Sequence, residues 1–154
     1  MVAAHTDDEL LGLGGTVRWL ANAGKEIHAV ILAEGITSRY EKREETDQNE
    51  LRQLKEDAQR AAAIVGYQSI EFCGSPDNRM DIVDFLDIIK VVSKYVKKYN
   101  PDTIFTHHYG DKNIDHRHIC EAVLTACRPI KGGGSEKNIC FRNPEQYRIV
   151  SNDL

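Results

Sequence analysis

Two short segments concentrate the residue types that could do chemistry. They hold five of the six histidines together with many carboxylates. The first segment, 5–9, contributes His5, Asp7, Asp8 and Glu9, and the second, 107–118, contributes His107, His108, Asp111, Asp115, His116 and His118. Imidazole and carboxylate together suit zinc or a similar divalent ion, and a catalytic zinc typically has three protein ligands and an exchangeable water. The sequence therefore predicts a metal centre built from these segments.

The spacing in the first segment divides its side chains into two roles. His5 and Asp8 are three residues apart where a strand is expected to turn into a helix, so both can point to one spot. Asp7 must then point elsewhere, beside the metal, where a carboxylate can take a proton from a zinc-bound water whose pKa the metal lowers to about 7. The alternative is ordinary helix capping by Thr6 or Asp7, which accounts for the acids but not for His5.

Alternating apolar patterns indicate the elements that would position these segments. Helical spacing is expected from Leu10 to Gly24, over 51–65 to Gly66, after an N-cap at Asp81 to Pro101, and from 119 to Pro129. Strands are expected at 1–4, 27–33, 69–73, 103–106 and 146–151, a long surface loop, lid or polar helical lead-in at 34–50, and a glycine loop at 131–137. Strands alternating with helices predict an α/β fold, a Rossmann-like doubly wound, mainly parallel sheet with helices on both faces. Sites in such folds lie after the carboxyl ends of strands.

Length and charge exclude several classes of protein. The chain has 154 residues, 41% of them hydrophobic, which predicts a single globular domain over 1–154. The net charge of -4, with basic and acidic residues interspersed, argues against a nucleic-acid partner. No run of apolar residues is long enough for a membrane span or a signal peptide, so we expect a cytoplasmic protein.

Two further patterns carry no separate function. The four cysteines contain no CxxC pair, which favours reduced, packed thiols over a disulfide framework or a cysteine-rich zinc site. The glycines of segment 12–15 do not form a dinucleotide-binding loop, because GxGxxG starting at Gly12 would need glycine where Val17 stands. We expect these glycines to allow close packing of a helix on the sheet.

Three motifs in order carry a family resemblance. Residues 4–16 read AHTDDELLGLGGT, residues 74–81 read GSPDNRMD, and residues 107–117 read HHYGDKNIDHR. They resemble the AHPDDE-x-LGxGGT, G-x-PDNRLD and HHxGDxNIDHR motifs of the LmbE-like, or PIG-L, family of zinc-dependent N-acetylglucosamine deacetylases. The resemblance spans positions 4 to about 128.

The resemblance implies roles for individual residues. It makes His5, Asp8 and His116 the ligands of one zinc per chain, with other divalent ions such as iron or cobalt as alternatives, and Asp7 the general base. Asp115 would orient or tune proton transfers, and it could also be the N-cap of the last long helix. The implied substrate is a small amino-sugar conjugate, and related proteins often assemble as homotrimers or homohexamers.

Two positions depart from the family pattern. The usual proline after the first histidine is Thr6, which removes no ligand, and a histidine three residues before the last ligand is replaced by Asn113. An asparagine can donate a hydrogen bond to an oxyanion but cannot deliver a proton. His107, His108 or a protonated Asp7 could supply the proton instead, and His108 is our first choice. One histidine of that pair could simply end its strand and bond a backbone carbonyl.

The second motif offers candidates for substrate binding. Asn78 and Arg79 could reach a sugar hydroxyl or an anionic aglycone, or else their turn is held by local side-chain bonds. Arg39 and Arg117 are weaker candidates for the anion role. His28, inside an expected strand, is expected to be a packed histidine.

The expected activity is hydrolysis of the N-acetyl group of an N-acetylglucosamine-type conjugate. The rivals are another metal-dependent amidase or deformylase acting on a sugar conjugate, and an inactive metal-binding member, which Asn113 would favour. The short first strand and the early end of the chain lead us to expect a fragment truncated at both ends.

Overall fold

The computed structural model describes residues 1–128. Its elements are β1 (Val2–Ala3), α1 (Asp8–Leu11), α2 (Gly14–Asn22), β2 (His28–Ala33), α3 (Gln48–Val65), β3 (Ser69–Ser75), α4 (Phe85–Tyr99) and α5 (Ile114–Ala126), with short 3-10 helices at Thr37–Arg39, Arg43–Glu45 and Met80–Ile82. The described residues divide into two compact units, one of Met1 with Ala3–Asn78 and the other of Val2 with residues 79–128. The expected glycine loop 131–137 and strand 146–151 lie outside the described residues.

The sheet confirms the predicted α/β class. Its strands lie in the order β1-β2-β3, and β2 pairs with β3 in parallel from His28 opposite Ser69 to Ile31 opposite Phe72. All residues of β2 after His28 are buried. Because neighbouring residues of a strand point to opposite faces, this burial means that both faces of β2 are covered, as in a doubly wound fold.

The helix predicted from residue 10 to Gly24 is two helices. Leu13 leaves the helical conformation, with φ -133° and ψ -1°, and separates α1 from α2. Gly12 and Gly14 flank Leu13, so the helix is interrupted where its propensity is lowest. The break gives the segment after β1 a short helix of its own, which carries Asp8 and Glu9 in its first turn.

Helix α3 ends where the sequence predicts, at Gly66, but begins three residues earlier than expected, at Gln48. Asp47 caps its start by accepting a hydrogen bond from the Asn49 N–H at 2.7 Å. Gly66 ends it in the left-handed conformation, with φ 108°. The segment before α3 contains two 3-10 turns, at Thr37–Arg39 and Arg43–Glu45. Arg43 donates two hydrogen bonds to the Glu34 carboxylate and so holds this segment in place.

Two predictions about the second unit are wrong. The N-cap of α4 is Asp84, which accepts from the Leu86 N–H at 2.8 Å, and Asp81 instead lies in a 3-10 turn whose Ile82 is 72% exposed. Segment 103–106 is not a strand in the described part of the chain. The Val2 N–H donates to the Phe105 carbonyl at 2.8 Å, but β1 has only two residues and cannot extend a ladder.

Helix α5 confirms the prediction of a helix before Pro129. It presents Ile119 and Val123 to the core of its unit, both fully buried. Within residues 1–128, no helix combines the length and the apolar character needed to cross a membrane.

Candidate active site

Asp7 stands in a strained turn between β1 and α1. Its backbone has φ 131° and ψ -29°, a conformation that costs a residue with a Cβ about 1–3 kcal/mol. Its carbonyl accepts from the Leu10 and Leu11 N–H groups at 2.9 and 2.8 Å, and its N–H donates to Glu9 Oε2 at 3.0 Å. Its side chain makes no capping bond, so the capping interpretation does not account for this carboxylate.

Glu9 is the buried acid of this turn. Its side chain is fully buried, and burial raises its pKa while the hydrogen bond from the Asp7 N–H acts in the opposite direction. Tyr67, which follows α3, donates its hydroxyl to the Glu9 carbonyl at 3.0 Å. The turn is therefore fastened to the end of α3.

His5 and Asp8 lie together at the start of α1. Asp8 Oδ2 accepts from the His5 N–H at 2.8 Å and lies 3.6 Å from His5 Nδ1. Both side chains are nearly buried. The three-residue spacing therefore brings an imidazole nitrogen and a carboxylate to one place, as the sequence predicts.

Asp77 is a partner of His5 that sequence reasoning missed. Its Oδ1 lies 3.2 Å from His5 Nε2, and its Oδ2 accepts from the Ser38 N–H at 3.0 Å and the Ser38 hydroxyl at 2.7 Å. Burial acts to raise the pKa of Asp77, but the bonds from His5 and Ser38 prevail and lower it to about 2. Asp77 is therefore a carboxylate that directs the other ring nitrogen, Nδ1, toward Asp8.

His116 has the same support in the second unit. Its Nδ1 lies 3.0 Å from Asp111 Oδ2. Burial acts to raise the pKa of Asp111, while hydrogen bonds from the Asn113 backbone and His116 lower it overall. The ring of His107 stacks on His116 at 3.8 Å between centroids. The carboxylate of Asp111 and the ring of His107 therefore both orient the His116 ring. Metal-binding histidines commonly have a supporting carboxylate, and this rule could have identified Asp111 and Asp77 from the sequence.

The N-cap of α5 is Asn113, whereas the sequence analysis considered Asp115 for this role. The Asn113 Oδ1 accepts from the Asp115 N–H at 2.9 Å and the His116 N–H at 3.4 Å. Asp115 lies in the first turn instead, where its fully buried carboxylate accepts from the Met80 N–H at 2.9 Å. Asp115 thus fixes the start of the Met80–Ile82 turn against α5.

His108 has a defined tautomer. Its Nδ1 accepts from the Gly110 N–H at 3.1 Å, so a neutral ring carries its proton on Nε2. The ring is nearly buried, and Tyr109 packs beside it at 4.0 Å between centroids. Because Nδ1 is an acceptor, this nitrogen of His108 does not donate to a backbone carbonyl.

The candidates for substrate binding differ in their surroundings. The amide of Asn78 donates to Asp77 Oδ1 at 3.0 Å and to the Ser38 hydroxyl at 3.3 Å, which are the local bonds of the alternative interpretation. Arg117 donates to the carbonyls of Asp111 and Lys112, both at 2.8 Å, so it holds its own loop. Arg79 and Arg39 are exposed.

Each unit offers donors that fit a divalent metal. The first unit offers His5 Nδ1 beside the Asp8 carboxylate, and the second offers His116 Nε2. In both histidines the other ring nitrogen lies against a carboxylate, which is the usual arrangement of a metal-binding histidine. Imidazole and carboxylate ligands are those of zinc and related ions.

Comparisons with known proteins show what the chain as a whole is similar to. The chain is 26% identical over 140 residues to the uncharacterized deacetylase YaiS of Escherichia coli K12, covering 84% of this chain and 67% of YaiS. Two solved structures show the fold. They are the hydratase GalB of Pseudomonas putida KT2440 (TM-score 0.74, 24% identity, 94% of this chain and 65% of GalB) and the N,N'-diacetylchitobiose deacetylase of Pyrococcus horikoshii (TM-score 0.71, 19% identity, 93% and 58%).

The chain thus spans less than two thirds of the length of these two solved proteins. The family model described as PIG-L, GlcNAc-PI de-N-acetylase, matches residues 1–127, which include all three motifs and both supported histidines. The chain therefore belongs to the PIG-L family.

Proposed function

We propose that this chain is a metal-dependent N-deacetylase that releases acetate from an N-acetylglucosamine-type conjugate. The observation that carries the proposal is the pair of carboxylate-supported histidines, His5 with Asp77 and His116 with Asp111, in a chain that also exposes Asp7. Metal ligands and a base of this kind are what hydrolysis of an amide requires. The family match and the deacetylase YaiS support the same class of reaction.

His5, Asp8 and His116 are the proposed ligands of one zinc ion. Zinc would supply a Lewis acid and a water of lowered pKa. The protein itself orients the two histidines, since Asp77 and Asp111 each lie against the ring nitrogen that would not bind the metal. Iron or cobalt would use the same nitrogen and oxygen ligands.

Asp7 and His108 divide the proton transfers between them. Asp7 is exposed and takes a proton from the attacking water, whose oxygen forms a bond to the acetyl carbon. The C–N bond then breaks, and the leaving amine needs a proton. His108 is the proposed donor, from Nε2. To act as an acid the ring must be imidazolium, so Nδ1 must first take up a proton in place of the hydrogen bond from the Gly110 N–H. Asn113 has no proton to give, and its side-chain oxygen caps α5.

The substrate class rests on similarity. The diacetylchitobiose deacetylase of P. horikoshii supports an acetylated amino sugar, and exposed Arg79 and Arg39 are the candidates for contact with an anionic aglycone. GalB, named a 4-carboxy-2-hydroxymuconate hydratase, has a similar fold, so addition of water to a carbon–carbon double bond is the second candidate.

The test is a substrate panel with purified protein. Free amine is measured with fluorescamine after incubation with N-acetylglucosamine conjugates, N-formyl analogues and acetylated amino acids. An unsaturated dicarboxylic acid is followed in parallel by loss of its ultraviolet absorbance. Amine release from acetylated sugars that stops in Asp7→Asn supports the deacetylase. Release from formyl analogues alone indicates a deformylase, and loss of absorbance without amine release indicates a hydratase. Bound metal without turnover of any substrate indicates an inactive member.

A further inference from the structure

Glu9 is a charged residue for which the proposed mechanism has no direct use. Its side chain is fully buried, and it lies two residues after Asp7 in the first turn of α1. One carboxylate oxygen, Oε2, accepts from the Asp7 N–H at 3.0 Å, while Oε1 has no hydrogen-bond partner among the described residues. Burial of a carboxylate is costly, and backbone hydrogen bonds from the Asp7 and Glu9 N–H groups offset part of that cost.

The backbone of Asp7 needs such an anchor. A φ of 131° is rarely adopted by a residue with a Cβ and persists only where several contacts enforce it. The carbonyl side of Asp7 is held by the Leu10 and Leu11 N–H groups, and these bonds are part of the start of α1. The peptide on the other side, between Thr6 and Asp7, is held by Glu9 Oε2.

Glu9 is itself fixed from the opposite direction. The hydroxyl of Tyr67 donates to its carbonyl at 3.0 Å, and Tyr67 is 7% exposed directly after Gly66 at the end of α3. The position of Glu9 is thereby tied to a long helix, and the position of Asp7 is tied to Glu9.

We propose that Glu9 is a positioning residue that aims the Asp7 carboxylate by holding its backbone N–H. The proposal rests on the proposed function of Asp7 as the general base. It requires only a hydrogen-bond acceptor at position 9, not a charge. A misplacement of about 1 Å in a reacting group can reduce turnover by about 100-fold, so the effect is expected in kcat and not in binding.

Two variants separate the acceptor from the packing. Glu9→Gln keeps an oxygen for the Asp7 N–H, and Glu9→Met keeps the bulk but removes the acceptor. We expect Glu9→Met to lose about 100-fold in kcat, with KM and metal content within about twofold of wild type. Glu9→Gln should restore kcat to within about threefold. Tyr67→Phe serves as the control, because it loosens the same turn without removing the acceptor.

A measurement that needs no substrate keeps the two proposals apart. Hydrogen exchange read by NMR should show the Asp7 amide protected in wild type, Glu9→Gln and Tyr67→Phe. In Glu9→Met the Asp7 amide should exchange faster while the Leu10 and Leu11 amides stay protected. An unprotected Asp7 amide in wild type overturns the proposal even if Glu9→Met does not fold. So does a Glu9→Met variant with wild-type kcat, or a Glu9→Gln variant as slow as Glu9→Met. A protected amide in a protein without deacetylase activity upholds the anchor and contradicts only the proposed function.

Discussion

Asp111 Oδ2 lies 3.0 Å from Nδ1 of His116, whereas the corresponding carboxylate of Asp77 lies 3.2 Å from Nε2 of His5. The two histidines are therefore supported at opposite ring nitrogens. His116 has Nε2 directed away from its support, and His5 has Nδ1. Each unit thus orients its own histidine, with a different element supplying the carboxylate.

The first prediction concerns these two carboxylates. Asp77→Asn and Asp111→Asn should each weaken metal binding by about 10–100-fold, because an amide supports the histidine less strongly than a carboxylate does. Competition with a chromophoric chelator measures the affinity. Asp57→Asn is the control, since Asp57 is exposed and pairs with Arg60. Unchanged affinity in both test variants would remove the carboxylates from the metal centre.

The second prediction concerns Asn113 as a cap. Asn113→Ala should lower the free energy of unfolding by about 1 kcal/mol, because the Asp115 and His116 N–H groups lose their acceptor. Asn113→Asp keeps the acceptor and should be as stable as wild type. Urea unfolding monitored by circular dichroism measures both. An alanine variant with wild-type stability would show that the cap bonds are not significant in solution.

The third prediction concerns the close contact between Gly110 and His108. A Cβ at position 110 would lie 2.7 Å from Cε1 of the His108 ring, so Gly110→Ala must move the ring. If His108 is the general acid, kcat should fall by about 10–100-fold with metal content unchanged. Steady-state kinetics and elemental analysis test this, with His108→Gln as the comparison. Full activity in both variants would require another acid.

The fourth prediction concerns the left-handed end of α3. Gly66→Ala should destabilise the protein by at least about 1–3 kcal/mol, because φ is 108° and the added Cβ would lie 2.6 Å from the Ala21 Cβ. Gly15→Ala is the matched control: it lies within α2 with open space around it and should gain up to about 1 kcal/mol. Thermal unfolding measures both changes. Equal stability of the two variants would contradict the packing described here.

The sequence predicted those features that depend on residues close together in the chain. Hydrophobic periodicity with Gly66 gave α3, the continuous apolar run gave β2, and the spacing of His5 and Asp8 gave their proximity. These features depend on the 3.6-residue and two-residue periods and on helix ends.

Tertiary contacts decided what the sequence analysis missed. Asp81 and Asp84 are both plausible caps, and the choice depends on the 3-10 turn Met80–Ile82, which the bond from the Met80 N–H to Asp115 holds in place. Sequence patterns gave no role to Asp77, because its bond to His5 joins positions 72 residues apart. Segment 103–106 has the composition of a strand, but the two-residue β1 beside it cannot support a ladder.

Metal content tests the central claim most directly. Elemental analysis of purified wild type, Asp8→Ala and the exposed-site control Asp57→Ala should find one zinc, iron or cobalt per chain in wild type and in the control. In Asp8→Ala the metal should be lost, while circular dichroism shows the same secondary structure. Stoichiometric metal in Asp8→Ala, or no metal in wild type after exposure to each ion, would contradict the metal centre and with it the proposed deacetylase.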